Sequence, residues 1–254
     1  MGGALLFGIW MLAACGLDPM GYDPEAGVDT DVDRGDPSVN YVYPSDDDDI
    51  VLLYGGHGGN RINQRDEIVS AWEEDGWTIE SADEWPTDLE GVRLVLMTNT
   101  GNRESGGSFS ESEAAMIADS LESGTRFVFA QRKEACDSTA VFNLLHYGFE
   151  APISFDGGAL EVGVPAEFDS LNGGAQPTGG VSALELTDPC LIDTDTPADH
   201  ALVSNSEGDI VVAGFRPGDA GDIVLVGDMM LFADSAQEHT GNKTFARNLA
   251  AVRP

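Results

Sequence analysis

Ile50-Val51-Leu52-Leu53-Tyr54 is an unbroken apolar run that stops at Gly55-Gly56. A strand with one wet face alternates apolar and polar residues, so a run with no polar member is built to be covered on both faces. That is the requirement of a central strand in a sheet held between helices. A helical pattern follows over residues 64–75, where Ile68, Val69 and Trp72 recur at helical spacing and Gly76 ends the pattern. Strand, glycine loop and helix make one β/α unit.

The unit repeats. Residues 77–80 predict a short second strand and residues 92–97 a third, closed by the polar turn Thr98-Asn99-Thr100-Gly101-Asn102. Ser110 and Glu113 have capping-box spacing, with Ala114, Ile117, Ala118 and Leu121 along one face of the helix they open and Gly124 beyond its end. Residues 126–130 predict a fourth strand, and Val141, Leu144 and Leu145 a helix ending near Gly148. Residues 151–199 are short β-like pieces rich in Gly, Pro and Asp, read as a β-rich excursion on one edge of the sheet. Residues 210–215 and 223–226 flank a Pro-Gly-Asp turn and predict a hairpin, and a last helix from about Asn242 presents Phe245, Leu249 and Val252 on one face. The order is that of one α/β domain over residues 50–254, a mostly parallel sheet flanked by helices, with enough apolar content (42% of 254 residues) for a substantial core.

What precedes the domain differs in kind. Residues 1–14, MGGALLFGIWMLAA, carry no charge and are too short for a comfortable membrane span. They have the character of a signal-peptide apolar segment, and Leu12-Ala13-Ala14-Cys15 resembles the lipobox at which bacterial lipoproteins are cleaved and acylated on the cysteine. No Lys or Arg precedes the run, a departure from that pattern; the competing account is a buried N-terminal helix. Gly16 follows the cysteine, so by the lipoprotein sorting pattern the outer membrane is favoured, on its periplasmic or surface face. Residues 15–49 lack apolar periodicity and recur in Asp, Pro and Gly, which predicts a disordered acidic tether. Asp29, Asp31 and Asp33 alternate like the start of a calcium loop, but Arg34 and Asn40 stand where that loop requires glycine and glutamate. Solvated linker charge is the better account, with collection of divalent cations as the functional alternative.

Asp and Glu number 45 against 12 Lys and Arg, a formal net charge of -33, which disfavours nucleic acid and anionic lipid as partners. The acids are spread through the folded part as well as the run at 46–49, so the cause acts on the whole surface. Adaptation to high external salt, as in halophilic or marine bacteria, and an ordinary acidic envelope surface both meet that condition.

Ligands of open α/β sheets sit beyond the carboxyl ends of the strands, here residues 55–61, 98–103, 131–133 and 227–229. The loop GGHGGNR lacks the Gly-Lys-Ser/Thr ending of a phosphate loop, and Arg61 stands where a dinucleotide motif needs its last glycine. No nucleotide cofactor is expected. His57 is the candidate general base and Asp228 a candidate base or cation ligand; the structural readings are a loop histidine fixing a helix end and a carboxylate capping the next segment. His146, His200 and His239 are dispersed, so no metal is expected. There is no Gly-x-Ser-x-Gly elbow, and Cys136 lies too far past its strand for a nucleophile on a tight turn. With Cys15 acylated, Cys136 and Cys190 remain as an even pair, either bonded in an oxidising compartment or separate thiols. The expected ligand-contacting set is His57, Gly58, Asn60, Asn99, Gln131 and Asp228.

The ILV-rich strand with its Gly-His-Gly-Gly-Asn-Arg loop, Leu89-Glu90-Gly91-Val92 leading into a strand, and Phe109-Ser110-Glu111-Ser112-Glu113 opening a helix before Ser123-Gly124-Thr125-Arg126 follow one order. Together with Gly221-Asp222-Ile223-Val224-Leu225-Val226-Gly227-Asp228 and the later Asn242-Lys243-Thr244-Phe245, this order resembles the class I glutamine-amidotransferase-like superfamily, nearest its DUF4350-type and gliding-motility-type domains. The resemblance implies a flavodoxin-like sheet. It withholds the glutaminase chemistry, because the elbow reads Ala130-Gln131-Arg132 where the nucleophilic cysteine belongs and no His-x-Glu follows the last strand. The expectation is therefore a lipid-tethered, catalytically degenerate domain in the cell envelope that binds a small ligand or envelope partner. The alternative is a hydrolase or carbohydrate-processing enzyme with His57 as base and Asn60, Asn99 or Asp228 positioning substrate or water.

Overall fold

The computed structural model describes residues 49–59, 65–101, 107–173, 175–218 and 220–251. Cys15, the tether, Asn60 and Val252 lie outside the described residues. Strands run in chain order as β1 (Ile50–Tyr54), β2 (Thr78–Ala82), β3 (Val92–Thr98), β4 (Arg126–Ala130), β5 (Ile153–Ala159), β6 (Ala166–Phe168), β7 (Ser170–Leu171), β8 (Leu184–Leu186), β9 (Cys190–Thr194), β10 (Ala201–Ser204), β11 (Ile210–Phe215) and β12 (Ile223–Val226). The helices are α1 (Asp66–Glu74), α2 (Glu111–Glu122), α3 (Thr139–Asn143), α4 (Pro197–His200), α5 (Asp234–Gln237) and α6 (Thr240–Ala250). None of these helices is long and apolar enough to cross a membrane.

Eight strands form one mixed sheet in the order β2-β1-β3-β4-β12-β11-β10-β7. The first five are mutually parallel and the last three continue antiparallel. The unbroken apolar runs are explained by the two layers they serve, because successive side chains point to opposite faces. Val51, Leu53, Leu94, Leu96, Val128 and Val224 join Ile68, Trp72, Phe245 and Leu249 of α1 and α6 on one face. Leu52, Tyr54, Val95, Met97, Phe127 and Leu225 join Ile117 and Leu121 of α2 and Val141 of α3 on the other. The Trp72 indole N–H donates to the Ala246 carbonyl at 3.1 Å, so the helices of the first face are also bonded to each other.

Several expected elements are present with adjusted ends. Helix α2 opens on the capping box, the Glu113 amide donating to Ser110 Oγ at 3.3 Å and the Ser110 amide to Glu113 Oε2 at 2.6 Å. The helix expected to end near Gly148 is α3 followed by a π-helical turn, Leu144–Gly148. Strands β11 and β12 pair as the expected hairpin, from Val212 opposite Val226 to Phe215 opposite Ile223. Strand β12 also lies parallel to β4 along its whole length, completing the parallel set.

The excursion departs from expectation. It forms two separate two-stranded ladders, β5 with β9 and β6 with β8, and only β7 reaches the edge of the large sheet, beyond β10. Its strands are short and the β5/β9 register shifts between Phe155 and Ala159, so the glycine-rich chain supplies too little continuous backbone to extend the main sheet. A disulfide between Cys136 and Cys190 ties this excursion to the segment after β4, with Cα atoms 5.3 Å apart. At the amino edge, Arg126 is 2% exposed and fully engaged. Its guanidinium pairs with Asp222 at 2.5 and 2.8 Å and donates to Gln176 and to the Asn248 and Leu249 carbonyls.

Candidate functional site

Strand β1 lies between β2 and β3, so the chain leaves β1 in one direction and returns to its other side. In open α/β sheets such a reversal is the usual place of the ligand crevice, between the loops that follow the two central strands. Here those loops begin with Gly55 after β1 and with Asn99 after β3. The two loops are joined by a backbone bond, Gly101 N–H donating to the His57 carbonyl at 2.8 Å, and the second is tied to the end of β4, Asn99 N–H donating to the Ala130 carbonyl at 2.7 Å. His57 (φ 53°) and Asn99 (φ 54°) both have left-handed backbones, uncommon for residues with a Cβ and concentrated at sites whose surroundings enforce them.

The glycines of the first loop serve close packing. A Cβ on Gly56 would overlap the Tyr54 hydroxyl and lie 2.5 Å from the Asp83 carbonyl, and one on Gly59 would lie 2.9 Å from the Gly56 and Thr98 carbonyls. The loop is folded down onto the sheet, and its amides are directed in part to its own carbonyls, Gly59 N–H to Gly56 O at 2.9 Å.

His57 sits in a box of side chains. Nδ1 is 2.7 Å from the Tyr54 hydroxyl, Nε2 is 3.4 Å from Glu113 Oε2, the ring stacks on Phe109 with centroids 4.2 Å apart, and Trp85 meets it edge-on. Burial, reinforced by the negative charges of Glu113 and Asp83, pushes the Tyr54 phenol up to about 12. The phenol therefore keeps its proton; the carboxylate can only accept, which places a proton on Nε2, and in the Nε2–H tautomer the phenol donates to Nδ1. Burial opposes the Glu113 charge, but hydrogen bonds from the Ser110 amide and hydroxyl and the nearby His57 outweigh it and hold the carboxyl below its ordinary value. Tyrosine, histidine and carboxylate have the order of a proton relay. Tyr54 is only 4% exposed and its hydroxyl packs against Gly56, so the tyrosine end of this relay is buried. Both ring nitrogens are engaged, so His57 bridges the β1 loop and the start of α2.

Asp228 is similarly committed. It is 3% exposed; Oδ1 accepts from Met230 N–H at 2.9 Å and Oδ2 from Thr187 N–H at 2.8 Å. Burial raises its pKa against the lowering effect of those two bonds and of Arg132. It caps the 3-10 turn Met229–Phe232 and holds the turn between β8 and β9. His57 and Asp228 share no hydrogen-bond partner among the described residues.

The remaining expected residues converge more closely. Gln131 is fully buried; its Nε2 donates to the Thr100 carbonyl at 3.0 Å, its N–H to Val226 O at 3.0 Å, and its carbonyl accepts from Met229 N–H at 2.7 Å. Gln131 thus joins the ends of β3, β4 and β12. Asn99 Oδ1, Thr100 Oγ1 and Gln131 Oε1 are buried with no hydrogen-bond partner among the described residues. An unpaired buried polar atom costs about 1–3 kcal/mol, and here three gather in one place. Gly58 lies on the same loop as His57, with φ 71°. Tyr54, Trp85, Phe109, Glu113 and Thr100 were not expected at the site. Glu113 carried a sequence signal only as a helix cap, and Tyr54 only as the last apolar residue of a strand.

No protein-family model matches the chain, and no curated protein is similar to it. Solved structures do share its fold. The mmIFT52 N-terminal domain superposes with a TM-score of 0.61 at 15% identity, over 77% of this chain and 93% of that one. A cytoplasmic protein from Salmonella typhimurium superposes with a TM-score of 0.58 at 9% identity, over 81% of this chain and all (100%) of that one. At such identities the likeness concerns the fold alone.

Proposed function

We propose that this chain is a non-catalytic binding domain, tethered to a membrane in the cell envelope through lipid on Cys15, whose ligand or protein partner engages the crevice between the β1 and β3 loops. The observation that carries the reading is the pairing of two facts at that crevice. His57 has its two nitrogens next to Tyr54 and Glu113, while Asn99 Oδ1, Thr100 Oγ1 and Gln131 Oε1 have no hydrogen-bond partner among the described residues. Unpaired acceptors are groups that a ligand's donors could satisfy, and the histidine beside them is already bonded at both nitrogens. The outer-membrane tether rests on the lipobox at residues 12–15, and a Cys136–Cys190 disulfide suits an oxidising compartment.

The parallel order β2-β1-β3-β4-β12 supports a flavodoxin-like arrangement and, through it, kinship with the amidotransferase-like superfamily. In that kinship Gln131 occupies the elbow where a nucleophile would stand. Its amide is buried and bonded to Thr100, the state of a degenerate site. The hydrolase alternative requires an accessible nitrogen on His57 and draws no support from this geometry.

The test has two parts. In cells, the full chain is expected in the membrane fraction and Cys15→Ala in the soluble fraction; equal partition of the two would remove the tether. In vitro, the chain is expected to turn over no p-nitrophenyl ester, anilide or glycoside, and reproducible turnover abolished by His57→Ala would overturn the non-catalytic reading.

A further inference from the structure

A second cleft, of about 640 Å³, opens at the amino edge of the sheet, where Arg126, Asp222, Gln176, His200, Phe215 and Arg216 contribute to its wall. Its volume falls within the range of small-molecule sites. Its lining is balanced, with Arg126 and Arg216 against Asp199 and Asp222, whereas the chain as a whole is strongly acidic. Acids outnumber bases 45 to 12, and Arg93, Arg126, Arg132, Lys133 and Arg247 are each paired with a carboxylate. Arg216, exposed at the end of β11, has no carboxylate partner among the described residues. On so acidic a surface a guanidinium without a partner remains available to an anion from solution.

The other groups narrow what that anion is. His200 Nδ1 lies 3.2 Å from the Gly214 carbonyl, which can only accept, so Nδ1 carries the proton and Nε2 is left without a partner among the described residues. Both Asp222 oxygens are neutralised by Arg126, but Asp199 also lines the cleft and is exposed. In a cleft lined by Asp199 as well as by Arg216, which has no carboxylate partner among the described residues, a multiply charged ligand such as a phosphate monoester or a dicarboxylate is disfavoured. Leu202, Val224 and the Phe215 ring, which meets His200 edge-on at 6.0 Å, supply apolar wall.

We infer that this cleft binds a small organic monocarboxylate with an apolar or aromatic body, the carboxylate forked onto Arg216 and the body laid against Phe215 and Leu202. The site is distinct from the β1/β3 crevice and stands whether or not that crevice binds anything. Phenylacetate is a suitable probe and phenylacetamide its uncharged counterpart. Titration of the full chain, followed by NMR of the His200 and Phe215 rings, is expected to give saturable shifts with phenylacetate. Binding should weaken about tenfold or more in Arg216→Gln and with phenylacetamide, because each removes the charge-assisted fork. Asp199→Asn should tighten it. Absence of saturable shifts, equal binding of the amide, or unchanged binding in Arg216→Gln would overturn the inference; Arg216 is exposed, so its replacement leaves the fold intact.

Discussion

If His57 is a fastener, replacing it should cost stability in an amount its contacts specify. His57→Ala leaves the buried Tyr54 hydroxyl without its acceptor, a loss of about 1–3 kcal/mol. It removes the stack on Phe109, worth about 0.5–1.5 kcal/mol. The Glu113 contact, at 3.4 Å and with both side chains partly reached by solvent, adds at most about 1 kcal/mol. Alanine must still adopt the same left-handed backbone, and the three losses share one side chain and so do not simply add; a net loss of about 2–4 kcal/mol is expected. Urea unfolding followed by far-ultraviolet circular dichroism measures it. A double-mutant cycle with Tyr54→Phe then isolates the bond between the two side chains, with an expected coupling of about 1–2 kcal/mol. A His57→Ala protein within about 0.5 kcal/mol of the parent, or a coupling indistinguishable from zero, would refute the fastener role and restore His57 as a group held in place for chemistry.

The Cys136–Cys190 bond spans 54 residues of chain, so by loop-closure entropy its reduction should cost about 4 kcal/mol, read as a lower urea midpoint in the presence of reductant; identical midpoints would show that the bond does not constrain the unfolded chain. Glu113 should contribute to acid stability with a definite sign. Its folded pKa is depressed below the reference 4.5, so its contribution is fully present above that reference and disappears as pH falls through the folded value. The stability difference between parent and Glu113→Gln should therefore shrink on acidification, and a difference that grows instead would reverse the assignment.

The division between local and non-local information follows the physics of each element. Unbroken apolar runs at 50–54 and 126–130, the Ser110/Glu113 capping box and the glycines after helices are local signals, because burial on two faces, a cap and a left-handed turn each constrain a few consecutive residues. They were enough for the α/β class, the order of elements and the nomination of the loops after β1, β3, β4 and β12. Pairing is another matter. The hairpin of β11 and β12 was legible because its turn joins neighbours in sequence. That β12 also runs along β4, about a hundred residues earlier, was not, because an apolar run does not name its partner. The excursion misled for the complementary reason: its short β-like pieces carry no signal for which ladder they join.

The same boundary runs through the site. Sequence alone determined that His57 stands on a glycine-rich loop beyond an apolar strand, that Asp228 directly follows a strand, and that Gln131, not a cysteine, follows the strand at 126–130. Whether a histidine is a base or a fastener depends on which groups meet its two nitrogens. Those groups, Tyr54 and Glu113, come from different elements separated by 59 positions, brought together when α2 packs on the sheet face that carries Tyr54. Only the tertiary structure decides the role, because protonation, hydrogen bonding and access are set by burial and by neighbours that the chain supplies from far away.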